Sequence, residues 1–312
     1  MKSSYVLLLI AALFLAITAV AQEPPSDTKH GILVRETPIY SGPDFSSAKL
    51  GQATRGREVF VLDQSREWLH VLASLGGLKD VTGWITNKGV VFINTPDGEK
   101  ILFGEAAASE LIASTRAGRK GAADDARRLY YRVFDYFPKS DLAAEGLYRA
   151  ADIMWQMDAH NKSRTSSTMV DLNSPADAAE DYMKMVIKKY PRTKAADLAA
   201  FRLIENKLCE DWMGESKCPE KEADVYEKYA AEHPDSPNAA EALYNAATRR
   251  AALIELYKTE NKPKQSEESR SRAKSDADLA ISKYPQSDWA YRARSLAFMV
   301  DQGIPTYGNA QQ

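Results

Sequence analysis

Four times in this sequence a segment patterned as a helix runs into a proline, and a hydroxyl residue follows two positions later. The four stretches are Phe137-Pro138-Lys139-Ser140, Tyr190-Pro191-Arg192-Thr193, His233-Pro234-Asp235-Ser236 and Tyr284-Pro285-Gln286-Ser287. Proline lacks an amide proton and disfavours helix at the residue before it, so each one ends a helix. Ser140, Thr193, Ser236 and Ser287 are then placed to cap a second helix, with Pro237 expected at a first helical position. Aligned on the prolines without gaps, Ala126, Leu129, Tyr130, Val133, Phe134 and Phe137 fall at spacings 0, 3, 4, 7, 8 and 11, one apolar stripe of a helix. The second unit fills the same places with Ala179, Tyr182, Met183, Val186, Ile187 and Tyr190. The third keeps Val225, Tyr226, Tyr229 and Ala230, and the fourth keeps Ala273, Ala277, Ala280, Ile281 and Tyr284. Beyond the prolines, Ala143, Ala196, Ala239 and Ala290 share one register, and Gly146, Ala199, Ala242 and Ala293 another. Small residues at these positions allow the helices of a pair to approach closely. Tyr148, Phe201 and Tyr244 recur two positions on as larger plugs, a series that Ser295 breaks. Repeated helix pairs bury their apolar stripes by stacking on one another.

The prolines are 53, 43 and 51 residues apart, against about 34 in a tight helical-pair array. The excess is expected in longer helices or in loops, with the polar stretches 160–174 and 261–269 as the candidates. Such insertions project on one side of a stack, often the side that binds.

The aromatic-Pro-x-Ser/Thr signature followed by Ala-x-x-Ala-Leu-Tyr, as in Ala239 to Tyr244, resembles the tetratricopeptide superfamily. Within it, the likeness is to the outer-membrane assembly lipoprotein (BamD-like) and the periplasmic Tol–Pal accessory protein. It covers roughly residues 105–300. The resemblance implies a scaffold for envelope proteins or a binder of extended peptides. A lipidated member carries cysteine directly after its cleavage site. Here Gln22 stands there, so no direct lipid anchor is expected.

Ahead of the repeats the period changes from 3.6 to 2. Glu58 to Leu62, Glu67 to Leu72 and Val81 to Ile85 read as short strands, separated by turns at Ser41-Gly42-Pro43, Gly76-Gly77 and Asn87-Lys88-Gly89. Five or six strands in so short a stretch suit a small barrel. Val34-Arg35, Tyr40-Ser41-Gly42-Pro43, Gly51, Glu67-Trp68-Leu69-His70-Val71 and Gly83-Trp84-Ile85 resemble the bacterial SH3-type domain. That resemblance implies a cell-wall or peptide-binding appendage. Thr37-Pro38-Ile39 departs from that family's more usual Asn-Val-Arg run. Trp68 and Trp84 line a ligand groove on one reading, and on the other at least one of them is core. Tyr40, beside the Ser-Gly-Pro turn, is a candidate for an exposed ligand contact. Tyr131 and Tyr136 lie off the apolar stripe of the first repeat and are candidates for a groove on the helical part.

The first residues pattern as a secretory signal: Lys2, an apolar run from Val6 to Val20, and a small-x-small site at Ala19-Val20-Ala21. Cleavage near Ala21-Gln22 gives a periplasmic or secreted chain. In that compartment Cys209 and Cys218, flanking a short loop, read as a structural disulfide, with a redox or metal pair as the alternative. Lys plus Arg number 41 and Asp plus Glu 43, so no basic field points to nucleic acid. His30, His70, His160 and His233 are scattered, and no nucleophile elbow, zinc-protease helix or phosphate loop occurs. His233 occupies the aromatic slot before Pro234, where packing is the simpler reading. Asp124 and Asp125 are expected to be solvated on different faces of their helix.

The expected architecture is multidomain. A signal peptide (1–21) precedes a small all-β SH3-like barrel (29–93), a linker (94–104), an all-α tetratricopeptide-like helical-repeat solenoid (105–301) and a flexible tail (302–312). The expected role is that of a non-enzymatic exported scaffold, with no cofactor, no metal and no catalytic residue. Its barrel would recognise wall or peptide and its helices envelope proteins or extended peptides, with peptidoglycan a further ligand. Regulation of a peptidoglycan hydrolase is the alternative role.

Overall fold

A computed structural model describes residues 29–75, 80–164, 175–209 and 211–307. The signal segment, the Gly76-Gly77 turn, most of the 160–174 stretch and the last residues of the tail lie outside the described residues.

Seven strands form one antiparallel sheet: β1 (Lys29–Leu33), β2 (Thr37–Tyr40), β3 (Lys49–Ala53), β4 (Glu58–Ser65), β5 (Trp68–Ser74), β6 (Asp80–Thr86) and β7 (Val90–Phe92), in the order β3-β2-β6-β5-β4-β1-β7. Alternation places Leu69, Val71 and Ala73 of β5 inside, with Trp68, His70 and Leu72 outside. Ala53 from one end of the strand order and Val90 and Phe92 from the other pack on the same core, so the sheet curls into a barrel.

The helical part holds α1 (Gly98–Ser114), α2 (Ala122–Tyr136), α3 (Ala143–Arg164), α4 (Pro175–Lys189), α5 (Lys194–Arg202), α6 (Lys217–Glu232), α7 (Ala239–Thr259), α8 (Pro263–Lys283) and α9 (Asp288–Asp301). Pro138, Pro191, Pro234 and Pro285 separate α2 from α3, α4 from α5, α6 from α7 and α8 from α9. Ala143, Ala196, Ala239 and Ala290 are all buried. A side chain at Gly146 would meet the Tyr130 carbonyl at 2.8 Å, so α2 and α3 cross too closely for any Cβ there.

Several boundaries differ from the sequence reading. Thr193 and Ser287 accept from the amides of Ala196 and Ala290 at 3.2 and 3.1 Å, as helix caps do. Ser140 and Ser236 instead close a turn by accepting from Leu142 and Asn238, both at 3.2 Å. Helices α3 and α7 consequently begin later, and Pro237 precedes its helix rather than opening it. The excess length between the last two prolines lies in α7 and α8, each of 21 residues, and not in a loop at 261–269. Helix α1 starts at Gly98, so the expected linker to residue 104 shrinks to a short turn. Nor is the described part of the tail loose: Tyr307 packs on Trp212 with ring centroids 5.4 Å apart.

Barrel and helices share a core. Ile32, Val34 and Val91 pack with Leu102 and Ala106 of α1 and with Ala126, Leu129 and Tyr130 of α2. Gly56, in the β3–β4 turn, has φ +73°. A Cβ on it would lie 2.6 Å from Arg128 Cβ and 3.0 Å from the Leu129 nitrogen. The turn therefore sits directly on the backbone of α2. Arg128 ties it down, donating to the Arg55 carbonyl at 3.0 Å and pairing with Asp125 at 2.5 Å. Asp125 is buried and also pairs with Arg119, which corrects its expected solvated position: the barrel's turn lies over the start of α2.

Candidate functional site

The outer face of the barrel carries a cluster of rings. In the sheet, Tyr40 of β2 and His70 of β5 both lie opposite Trp84 of β6. His70 stacks on Trp84 at 4.8 Å between centroids, with planes 25° apart. Tyr40 meets Trp68 edge-on at 5.7 Å, and Phe45 lies 4.9 Å from Trp68 and 5.9 Å from Tyr40. Phe45 is 72% exposed, and apolar side chains that cluster at a surface mark interaction sites.

The loop bearing Phe45 is internally bonded. Ser47 Oγ donates toward the Asp44 carbonyl at 2.8 Å and accepts from the Gly42 amide at 3.1 Å, while the Ser46 amide donates to Asp44 Oδ1 at 2.9 Å. Hydrogen bonding from Ser46 holds the Asp44 carboxyl below its usual range. The result is a ledge of Tyr40, Phe45 and Trp68, flanked by the Trp84–His70 stack. Aromatic faces with polar edges take apolar ring faces and extended chain, with polar groups meeting the hydroxyl, indole and imidazole.

Neither tryptophan is core; both are half-buried on this outer face. The other two ring candidates stand elsewhere. Tyr131 stacks on Tyr182 of α4 at 5.3 Å with planes 16° apart, bridging successive repeats. Tyr136 donates to Glu58 Oε1 at 2.6 Å and so joins α2 to the barrel. Phe45 was missed by sequence reasoning, and His70 was counted only among four scattered histidines. The available signals were the place of Phe45 just after the Ser-Gly-Pro turn and the two-residue step from Trp68 to His70 along β5.

A second concavity, of about 520 Å³, lies at the junction and is lined by His30, Glu58, Phe92, Ile93, Asp135 and Tyr136. Burial opposes ionisation of Glu58. Hydrogen bonds with Tyr136 and His30 and the Arg132 charge outweigh it, holding the carboxyl below its usual range. Burial, then the bond to Glu58, push the Tyr136 phenol up. These groups satisfy one another, and they act as a joint between the two parts.

Cys209 and Cys218 are bonded to each other. Buried Glu222 organises their loop by accepting from the Cys209 amide at 2.9 Å, the Trp212 indole at 3.2 Å and Arg249 at 3.1 Å. His233 stacks on Tyr229 at 4.7 Å and pairs with Asp197 at 2.8 Å, a packing role. Among the described residues no group of three or more His, Cys, Asp or Glu could hold a metal ion, and no helix is long and apolar enough to cross a membrane.

Among curated proteins, none matches the sequence at a significant level. Solved structures that resemble it include the DHF58 filament, at 15% identity and TM-score 0.24 over 66% of this chain and 94% of that one. The DHF119 filament resembles it at 18% identity and TM-score 0.20, over 67% and 97%. Residues 35–91, the barrel with its ring-bearing face, match the family described as bacterial SH3 domain.

Proposed function

We propose that this chain is an exported, non-enzymatic scaffold of the cell envelope, in which the barrel takes cell-wall material and the helical repeats hold protein. The outward-facing ledge of half-buried Tyr40 and Trp68 with exposed Phe45, beside Trp84, carries the first half of this reading, on a domain of the bacterial SH3 type. The signal pattern ahead of Gln22 and the Cys209–Cys218 bond support an oxidising compartment outside the cytoplasm. The proline-centred hairpins support a BamD-like or Tol–Pal-accessory-like role for the helices.

Co-sedimentation with purified sacculi tests the reading. The chain is expected to pellet with them, and W68A/W84A is expected to stay in the supernatant while keeping its circular dichroism spectrum. Equal pelleting of both proteins would remove the ledge from the account. Release of muropeptides would show the chain to be a hydrolase and remove the scaffold reading.

A further inference from the structure

The repeats dock on one another through a fixed set of positions, and the last unit presents that set uncovered. Six, nine and thirteen residues after its proline, the first unit has Ala144, Leu147 and Ala151, buried with Met183 and Val186 of the next helix, α4. The third unit has Ala240, Leu243 and Ala247 there, all buried. Leu243 and Ala247 share a core with Ala273, Ala277 and Ala280 of α8. In the second unit Asp197 holds His233, and Ile204 is buried with Tyr226 and Tyr229. In the fourth unit the same positions are Tyr291, Arg294 and Phe298. Tyr291 is 57% exposed and Phe298 60% exposed, with the Arg294 guanidinium 5.3 Å from the Tyr291 ring.

The opposite wall corresponds to that of the third unit. Glu227 of α6, seven residues before its proline, pairs with Arg272 of α8 at 2.5 Å. The corresponding residue of the last unit is Asp278, which lines an open groove of about 770 Å³ between α8 and α9, together with Lys274, Leu279 and Asp301.

We infer that this groove and the Tyr291–Arg294–Phe298 edge seat an amphipathic helix from another protein. That helix would have small apolar residues facing the two rings and an acidic residue meeting Arg294. The seat continues the internal interfaces, where an alanine stripe on α8 does the docking. Arg294 has no acidic partner among the described residues. A second copy fits poorly. In a two-fold pair whose axis passes through the middle of the Tyr291–Arg294–Phe298 edge, Arg294 would meet Arg294. Head-to-tail stacking is blocked because α1 and the barrel cover the first repeat. The described chain beyond α9 turns back to Trp212 and Tyr257.

This inference deepens the protein-holding half of the proposed function and rests on it, while its test is independent of sacculus binding. The probes are two fluorescein-labelled helical peptides carrying the alanine stripe of α8, one with glutamates beside the stripe and one with lysines. Anisotropy with the full chain is expected to show binding of the glutamate peptide. Y291A/F298A should weaken it at least tenfold, and R294E should reverse the preference toward the lysine peptide. Absence of binding by both peptides, or undiminished binding to Y291A/F298A, would overturn the inference. So would a dimer of the full chain in sedimentation that F298A dissolves, since a second copy would then occupy the seat.

Discussion

The phenolic hydroxyl of Tyr190 donates to the carbonyl oxygen of Pro138 at 2.9 Å, across 52 residues of sequence. Tyr284 does the same to Pro234 at 2.6 Å, across 50 residues. The aromatic residue that closes one hairpin is thus tied to the loop of the hairpin before it, so one sequence motif both ends a helix and fixes the next unit's position. Each bond is solvent-accessible, and a hydrogen bond contributes about 0.5–1.5 kcal/mol net. Y190F and Y284F should each lower stability by about 0.5–1 kcal/mol in urea titrations, and additively, because the two sites share no partner.

Replacing Gly56 by alanine should do more damage. A Cβ there is strained at positive φ and drives into the backbone of α2. G56A is expected to cost at least about 2 kcal/mol and to split the thermal transition into two, because it separates the barrel from the helices. A single unshifted transition would show that the shared core does not depend on this turn.

The Glu58 joint sets a pH dependence. Its carboxyl titrates lower in the folded chain than in the unfolded one. Its contribution is therefore complete above the ordinary carboxylate pKa of about 4.3 and is lost as pH falls through the lower folded value. E58Q should destabilise by about 1–2 kcal/mol at neutral pH, a figure reduced from that of a buried charged bond because the site is partly open to water. The gap between wild type and E58Q should narrow as pH falls below about 4, read from chemical denaturation at each pH.

Removing the disulfide with C209S/C218S should cost about 2–3 kcal/mol, as expected for so short a closed loop. The effect should be local, since Glu222 and Glu260 hold the loop to its own repeat and to the end of α7. Hydrogen exchange should rise first in residues 205–220 and leave the barrel unchanged.

The four hairpins were legible because proline, a hydroxyl residue that caps a helix or closes a turn, and an apolar stripe act locally and leave a spacing that can be read. The joint between barrel and helices was not, because Tyr136 and Glu58 meet across 78 residues with no local mark. One trace was present: Ile32, Leu33 and Val34 form an unbroken apolar run, where a strand with one wet face would alternate. Leu33 faces the barrel core, and Ile32 and Val34 face the helices. The ledge was half visible. Trp68, Trp84 and Tyr40 stood out as residue types, but which face of the curled sheet they occupy depends on strand register, which composition does not fix.

The chain's five tryptophans are Trp68 and Trp84 on the ledge, Trp155 on α3, Trp212 in the disulfide loop and Trp289 on α9. Their indole N–H resonances, followed while soluble peptidoglycan fragments are added, therefore report separately on each region. Saturable shifts of Trp68 and Trp84 with the other three unmoved are the predicted result. Shifts confined to Trp155, Trp212 or Trp289, or none at all, would contradict wall recognition by the barrel.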